Sequence, residues 1–210
     1  MPRTRPARSP ATVGCIVAIG TVLLTSAMVK PPAPDCNAGV TVERTAWLMG
    51  TGLRVEVCAA SRSEALAAIE AALGAVRETE ARLSTWRAGS ELSRLNAERL
   101  ATWVDLSPST ASVLREVRAW SAETAGAFDP AIGASLDAWD LRGEGRVPTA
   151  AELDAANATG GTGAWEIDVA TPRARRLAPA RLDAGGFGKG AGLRSAVDSL
   201  ARHAVTSVVL

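Results

Sequence analysis

Leu53, Val55 and Val57 alternate with Arg54, Glu56 and Cys58, the two-residue period of a half-buried strand that turns Cys58 outward. The period then lengthens. Ser61 with Glu64 three residues on forms a capping box, and Leu66, Ile69, Leu73 and Val76 recur at helical spacing, predicting a helix to about Arg82. Ser107-Pro108 opens a second helix, with proline at its first position, an apolar face of Val113, Leu114, Val117 and Trp120, and an end near Gly126. Thr149 with Glu152 is another capping box and predicts a short helix to about Ala158. Arg173, Arg175 and Arg176 read as a solvated basic turn. From about Ala191, Leu193, Val197, Leu200 and Ala201 give a helical face, and Val205 to Leu210 follows as a buried strand. The chain stops on that apolar strand with no closing turn, so we expect the sequence to continue.

The N-terminus is patterned differently. Arg3, Arg5 and Arg8 precede an uncharged apolar run from Val13 to Val29, and Thr25-Ser26-Ala27 offers small residues for cleavage after Ala27. Residues 1–29 are read as a signal peptide or N-terminal membrane anchor, with the body exported to a periplasmic or other extracytoplasmic compartment. Residues 30–39, with Pro31, Pro32 and Pro34, form a tether, and residues 40–210 the folded domain. Cys36 and Cys58 share the oxidising compartment, either paired across a loop of about 20 residues or as two free thiols.

Composition narrows the chemistry. With 47% hydrophobic and 21% charged residues a packed core is expected, and a net charge of +1 gives no reason to expect nucleic acid as a partner. His203 is the single histidine, which argues against a histidine-based triad and a Cys/His zinc site. Six Trp, two Phe and no Tyr leave ring stacking to Trp or Phe.

The stretch from Arg181 to Gly190 carries the strongest chemical signal. An apolar, strand-like approach reaches Asp183, passes four glycines and presents Lys189 at the mouth of a helix, a setting suited to a phosphate group. It is not a P-loop. The first P-loop glycine would fall on Asp183, and the Ser/Thr position holds Gly190. The bland reading is a flexible connection. Three other segments could serve a ring: Met49 beside Gly50, Trp86 at a helix exit where it either faces a ligand or lids the core, and Ala127-Phe128-Asp129-Pro130, an aromatic and a carboxylate in one turn.

In order and spacing, Met49-Gly50-Thr51, Leu83-Ser84-Thr85-Trp86 with Ser90-Glu91-Leu92 and Asn96, Gly126 to Pro130, and Asp183 to Gly190 resemble the ApbE family, the FAD:protein FMN transferases. The resemblance covers roughly residues 45 to 210. It implies a mixed α/β (α+β) fold related to the T-fold that binds FAD and Mg²⁺. It also implies transfer of FMN from FAD to a Thr hydroxyl of an acceptor flavoprotein, with release of AMP. By the same resemblance Met49, Trp86, Ala127, Phe128, Asp129, Asp183 and Lys189 contact FAD, with Lys189 and Asp183 serving catalysis and the Gly186 carbonyl ligating Mg²⁺. Trp86 stands where Tyr is commoner in the family. The family's distal Asp/Asp/Thr set of Mg²⁺ ligands is not found before Leu210. The rival reading is a non-catalytic FAD- or nucleotide-binding remnant.

Overall fold

The computed structural model describes Cys36 and residues 39–210, so the expected signal or anchor segment, and most of the tether, lie outside the described residues. The chain runs through β1 (Val40–Leu48), β2 (Thr51–Ala59), α1 (Arg62–Leu83), α2 (Glu91–Ala97), β3 (Val104–Asp105) and α3 (Pro108–Glu123). It continues through α4 (Gly133–Ala138), α5 (Ala150–Asn157), β4 (Trp165–Ile167), β5 (Arg173–Arg176), α6 (Gly188–Leu200) and β6 (Val205–Val209). The strands form two antiparallel sheets of three, ordered β1-β2-β6 and β3-β5-β4.

Each sheet anchors its own core. Val55 and Val57 of β2 share one with Ala65, Ala68 and Ile69 of α1 and with Ala196 of α6. Small alanines let the helices lie close to the sheet, and burial does the rest. The second core gathers Leu92 and Leu95 of α2, Leu114 and Val117 of α3, Trp165 of β4, and Leu182. The residues that follow Leu182 run directly into α6, which belongs to the first core.

Helix starts follow the local signals. Both capping boxes form, at Ser61/Glu64 and Thr149/Glu152, and Pro108 opens α3 behind the Ser107 cap. Five expectations change. Arg173, Arg175 and Arg176 are not a solvated turn but β5, the middle strand of its sheet. Each arginine there has partners: Arg173 pairs with Asp168, Arg175 with Glu166, and Arg176 donates to the carbonyls of Leu95, Glu98 and Ala180. Cys58 is buried, because it pairs with Cys36. Trp120 leaves the apolar face of α3 and is 58% exposed. The approach to Asp183 belongs to neither sheet, since Leu182 bonds to the Asn96 side chain, Asp183 to the loop at Pro130 and Arg181 to the first residue of α4 instead of to a strand. Finally, α6 begins at Gly188, three residues before the expected start, so Lys189 lies in its first turn.

The Cys36–Cys58 disulfide spans a sequence separation of 22. Removing that constraint on the unfolded chain is expected to lower stability by about 3 kcal/mol. Urea unfolding with and without reductant checks this, and coincident midpoints would contradict it.

Candidate functional site

Leu182 is held on both sides of its peptide unit. The Asn96 side chain donates to its carbonyl at 2.7 Å and accepts from its N–H at 2.8 Å, so one amide imitates a neighbouring strand. Asp183 N–H donates to the Pro130 carbonyl at 2.8 Å, and Gly133 N–H to the Arg181 carbonyl at 2.9 Å. A side chain at position 133 would put Cβ 2.8 Å from that carbonyl oxygen, so the close approach requires glycine.

These bonds fix the carboxylate of Asp183, whose side chain is 13% exposed. Its Oδ1 accepts from Gly185 N–H at 2.8 Å, which closes the turn toward α6. Its Oδ2 accepts from Thr85 Oγ1 at 3.0 Å and from Arg142 Nη2 at 3.1 Å. The chain then enters α6 without a side-chain cap. Such a helix start presents N–H groups, and with Lys189 in the first turn the local charge favours an anion.

A cleft of about 380 Å³ opens here, lined among others by Met49, Glu80, Trp86, Asp183, Gly185 and Lys189. Met49 sits in the two-residue turn between β1 and β2, where it and Gly50 take φ of 51° and 72°. That hairpin geometry demands positive φ, so Met49 accepts some strain. Glu80 Oε1 accepts its N–H at 3.0 Å, and its thioether lies on the backbone of α6, where a Cβ at Gly192 would come within 2.9 Å of Sδ. Met49 thereby seats the hairpin on α6 while lining the cleft. Trp86 is 71% exposed, so it does not lid the core. Among the described residues Lys189 is exposed and has no hydrogen bond or ion pair from its side chain.

A second cleft, of about 500 Å³, is lined by Ala127, Phe128, Asp129, Gly160, Asp183 and Gly186, among others. Asp183 lines both clefts. The Phe128 ring lies against Gly186, whose Cβ would stand 3.2 Å from it. Both oxygens of Asp129 accept backbone N–H groups, from Ala131 at 2.8 Å and from Gly161 at 2.6 Å. In this arrangement Asp129 shapes the turn and ties it to the loop at Gly161.

The sequence reading missed Arg142. It sits in a loop closed by Gly143 N–H and Gly145 N–H donating to the Asp140 carbonyl, both at 3.1 Å. A Cβ at Gly143 would lie 2.6 Å from the Asp140 carboxylate, so any larger residue there would displace that side chain. Its signal was the glycine-punctuated Leu141-Arg142-Gly143-Glu144-Gly145. The same loop is anchored by Arg146, which pairs with Glu152 at 2.9 Å.

The Arg146 hydrogen bond and those from Thr149 hold the Glu152 carboxyl down at about 2, against an ordinary 4.5. A depressed carboxyl stabilises the fold above its ordinary value and loses that contribution as pH falls through the folded value. Amide protection at the start of α5 and at Gly143 and Gly145 is therefore expected to fall as pH drops from about 4.5 to about 2, and hydrogen exchange checks it. Protection that stays flat across that window would contradict the anchoring role.

Mg²⁺ takes hard oxygen ligands in a near-octahedral array, usually with carboxylates. Among the described residues no group of three His, Cys, Asp or Glu could hold a metal ion, and the Gly186 carbonyl alone does not make a site. The described residues do not by themselves fit the ion.

Fold and clefts define an α+β protein whose glycine-rich turn, exposed Trp and single cationic side chain converge on one cavity. The chain matches the model of the ApbE family over residues 49–210, and it belongs to that family. It is 31% identical over 203 residues to an FAD:protein FMN transferase of Rhodobacter capsulatus, covering 94% of this chain and 36% of that one. The apo flavinyl transferase ApbE of Pseudomonas stutzeri matches with a TM-score of 0.69 at 25% identity, over 81% of this chain and 56% of that one. The flavin transferase ApbE of Vibrio cholerae matches in fold with a TM-score of 0.71 at 23% identity, again over 81% and 56%. The chain thus spans just over half the length of these solved relatives and about a third of the Rhodobacter protein.

Proposed function

We propose that the chain binds FAD across the two clefts and acts as an Mg²⁺-dependent FAD:protein FMN transferase. The observation that carries this reading is the convergence of Met49, Trp86 and the Asp183-to-Lys189 turn, three segments far apart in sequence, on one cleft. In the reaction a Thr hydroxyl oxygen of an acceptor flavoprotein forms a bond to the FMN phosphorus. The pyrophosphate P–O bond breaks, AMP leaves with the electron pair, and the hydroxyl proton passes to solvent.

Such a transfer spreads negative charge over non-bridging oxygens, and a fixed cation with oriented amides stabilises it best. Lys189 and the start of α6 supply these. The exposed face of Trp86 offers a stacking surface, and Phe128 with the Ala127–Asp129 turn shapes the second cleft. The requirement for Mg²⁺ rests on the family resemblance. The disulfide supports an exported, extracytoplasmic location. Among the described residues no helix is long and apolar enough to cross a membrane, so a membrane contact would belong to residues 1–29.

The test is FAD titration of the whole chain, followed by transfer to a Thr-bearing acceptor flavoprotein with Mg²⁺ or with chelator. Covalent flavin on the acceptor, lost with chelator, is the expected result. FAD binding without transfer would replace this reading with the binding remnant. No FAD binding by a chain folded by circular dichroism would overturn both.

A further inference from the structure

Arg142 makes four contacts with its guanidinium. Nη1 donates to the Thr85 carbonyl at 2.9 Å, and Nη2 to Thr85 Oγ1 at 2.9 Å and to Asp183 Oδ2 at 3.1 Å. The group also stands 5.1 Å from the centroid of the Trp86 ring. Arg142 does not line the cleft that holds Trp86, Asp183 and Lys189. It lines a separate cavity of about 320 Å³ with Asn96, Arg181 and Leu182. Thr85 lines both cavities, so the guanidinium braces the shared wall from behind.

We propose that Arg142 is a positioning residue that holds the Trp86 ring in its stacking orientation by a cation–π contact, with Thr85 and Asp183 as its anchors. The proposal rests on the reading that this cleft takes the rings of FAD. An indole that is 71% exposed has little apolar packing to fix its rotamer, so an ordered stacking surface needs another constraint. The bonds to Thr85 fix the guanidinium plane, and a cation over an indole face is attractive even near solvent. Arginine suits the task because its planar fork can bond and stack at once, which a lysine ammonium cannot.

The experiment uses the whole chain and FAD itself, followed by flavin fluorescence, with circular dichroism recording the fold of every variant. Arg142→Ala is expected to weaken FAD about five- to tenfold, and Arg142→Lys to recover only part of that loss. In a Trp86→Ala background the same Arg142→Ala change is expected to cost about twofold or less, because the ring it holds is gone. Equal losses in the two backgrounds, or no loss in the first, would overturn the proposal. If the unmodified chain binds no FAD, the flavin reading fails separately, and the role of Arg142 is read from Trp86 alone. Acrylamide quenching of Trp86, isolated as the difference between the chain and its Trp86→Phe variant, should then change on Arg142→Ala. Quenching that stays the same would overturn the proposal on that arm.

Discussion

Asp183→Ala is expected to weaken FAD binding by at least about 30-fold, roughly 2 kcal/mol, and to lower folding stability by about 1–2 kcal/mol. The carboxylate accepts from Gly185, Thr85 and Arg142. Removing it leaves the Gly185 N–H and the Thr85 hydroxyl without that acceptor and Arg142 without its counter-charge. Arg142 is about one-third exposed, which softens the loss because water can replace part of the pair. The effect on the ligand is larger, because the Gly185 turn sets where α6 begins and therefore where Lys189 stands. Asp183→Asn, which keeps the shape and an oxygen acceptor, should fall between. Titration with FAD beside urea unfolding separates the two effects, and an Asp183→Ala variant that binds FAD normally would show that the turn does not position the ligand.

Lys189→Ala is expected to slow FMN transfer by at least an order of magnitude, about 1.4 kcal/mol or more, with little change in stability. Its side chain is exposed and lacks a bonded partner among the described residues, so folding has nothing to lose from its removal. The transition state has charge to lose. Lys189→Arg should restore only part of the rate, since a planar fork does not reproduce a compact ammonium. Single-turnover transfer rates with saturating FAD check this, and an unchanged rate would remove Lys189 from the chemistry.

What could be read from sequence was local in cause. A capping box lies within four residues, so α1 and α5 announced their own starts. Met49, Trp86, Asp183 and Lys189 were picked out by residue type and by family resemblance, and the structure brings them to one cleft. The failures have distant causes. The arginines of β5 suggested solvent because Glu98, Leu95 and Asp168 could not be assigned to them in advance. The helix expected from about Ala191 starts at Gly188, and the thioether of Met49, more than 130 residues earlier, lies on the bare backbone of that helix at Gly192. Arg142 reaches Asp183 and Thr85, 41 and 57 residues away, with one helix intervening toward the first and three toward the second, and no short-range pattern encodes that contact.

The basic residues of this chain are arginines, apart from Lys30 and Lys189. Within residues 39–210 Lys189 therefore carries the sole primary amine, and it stands exposed on the wall of the cleft. The cavity comes with its own chemical handle: an amine-selective acylating reagent would mark this wall and no other surface of those residues. A ligand lying against the ammonium would slow that marking in proportion to its occupancy.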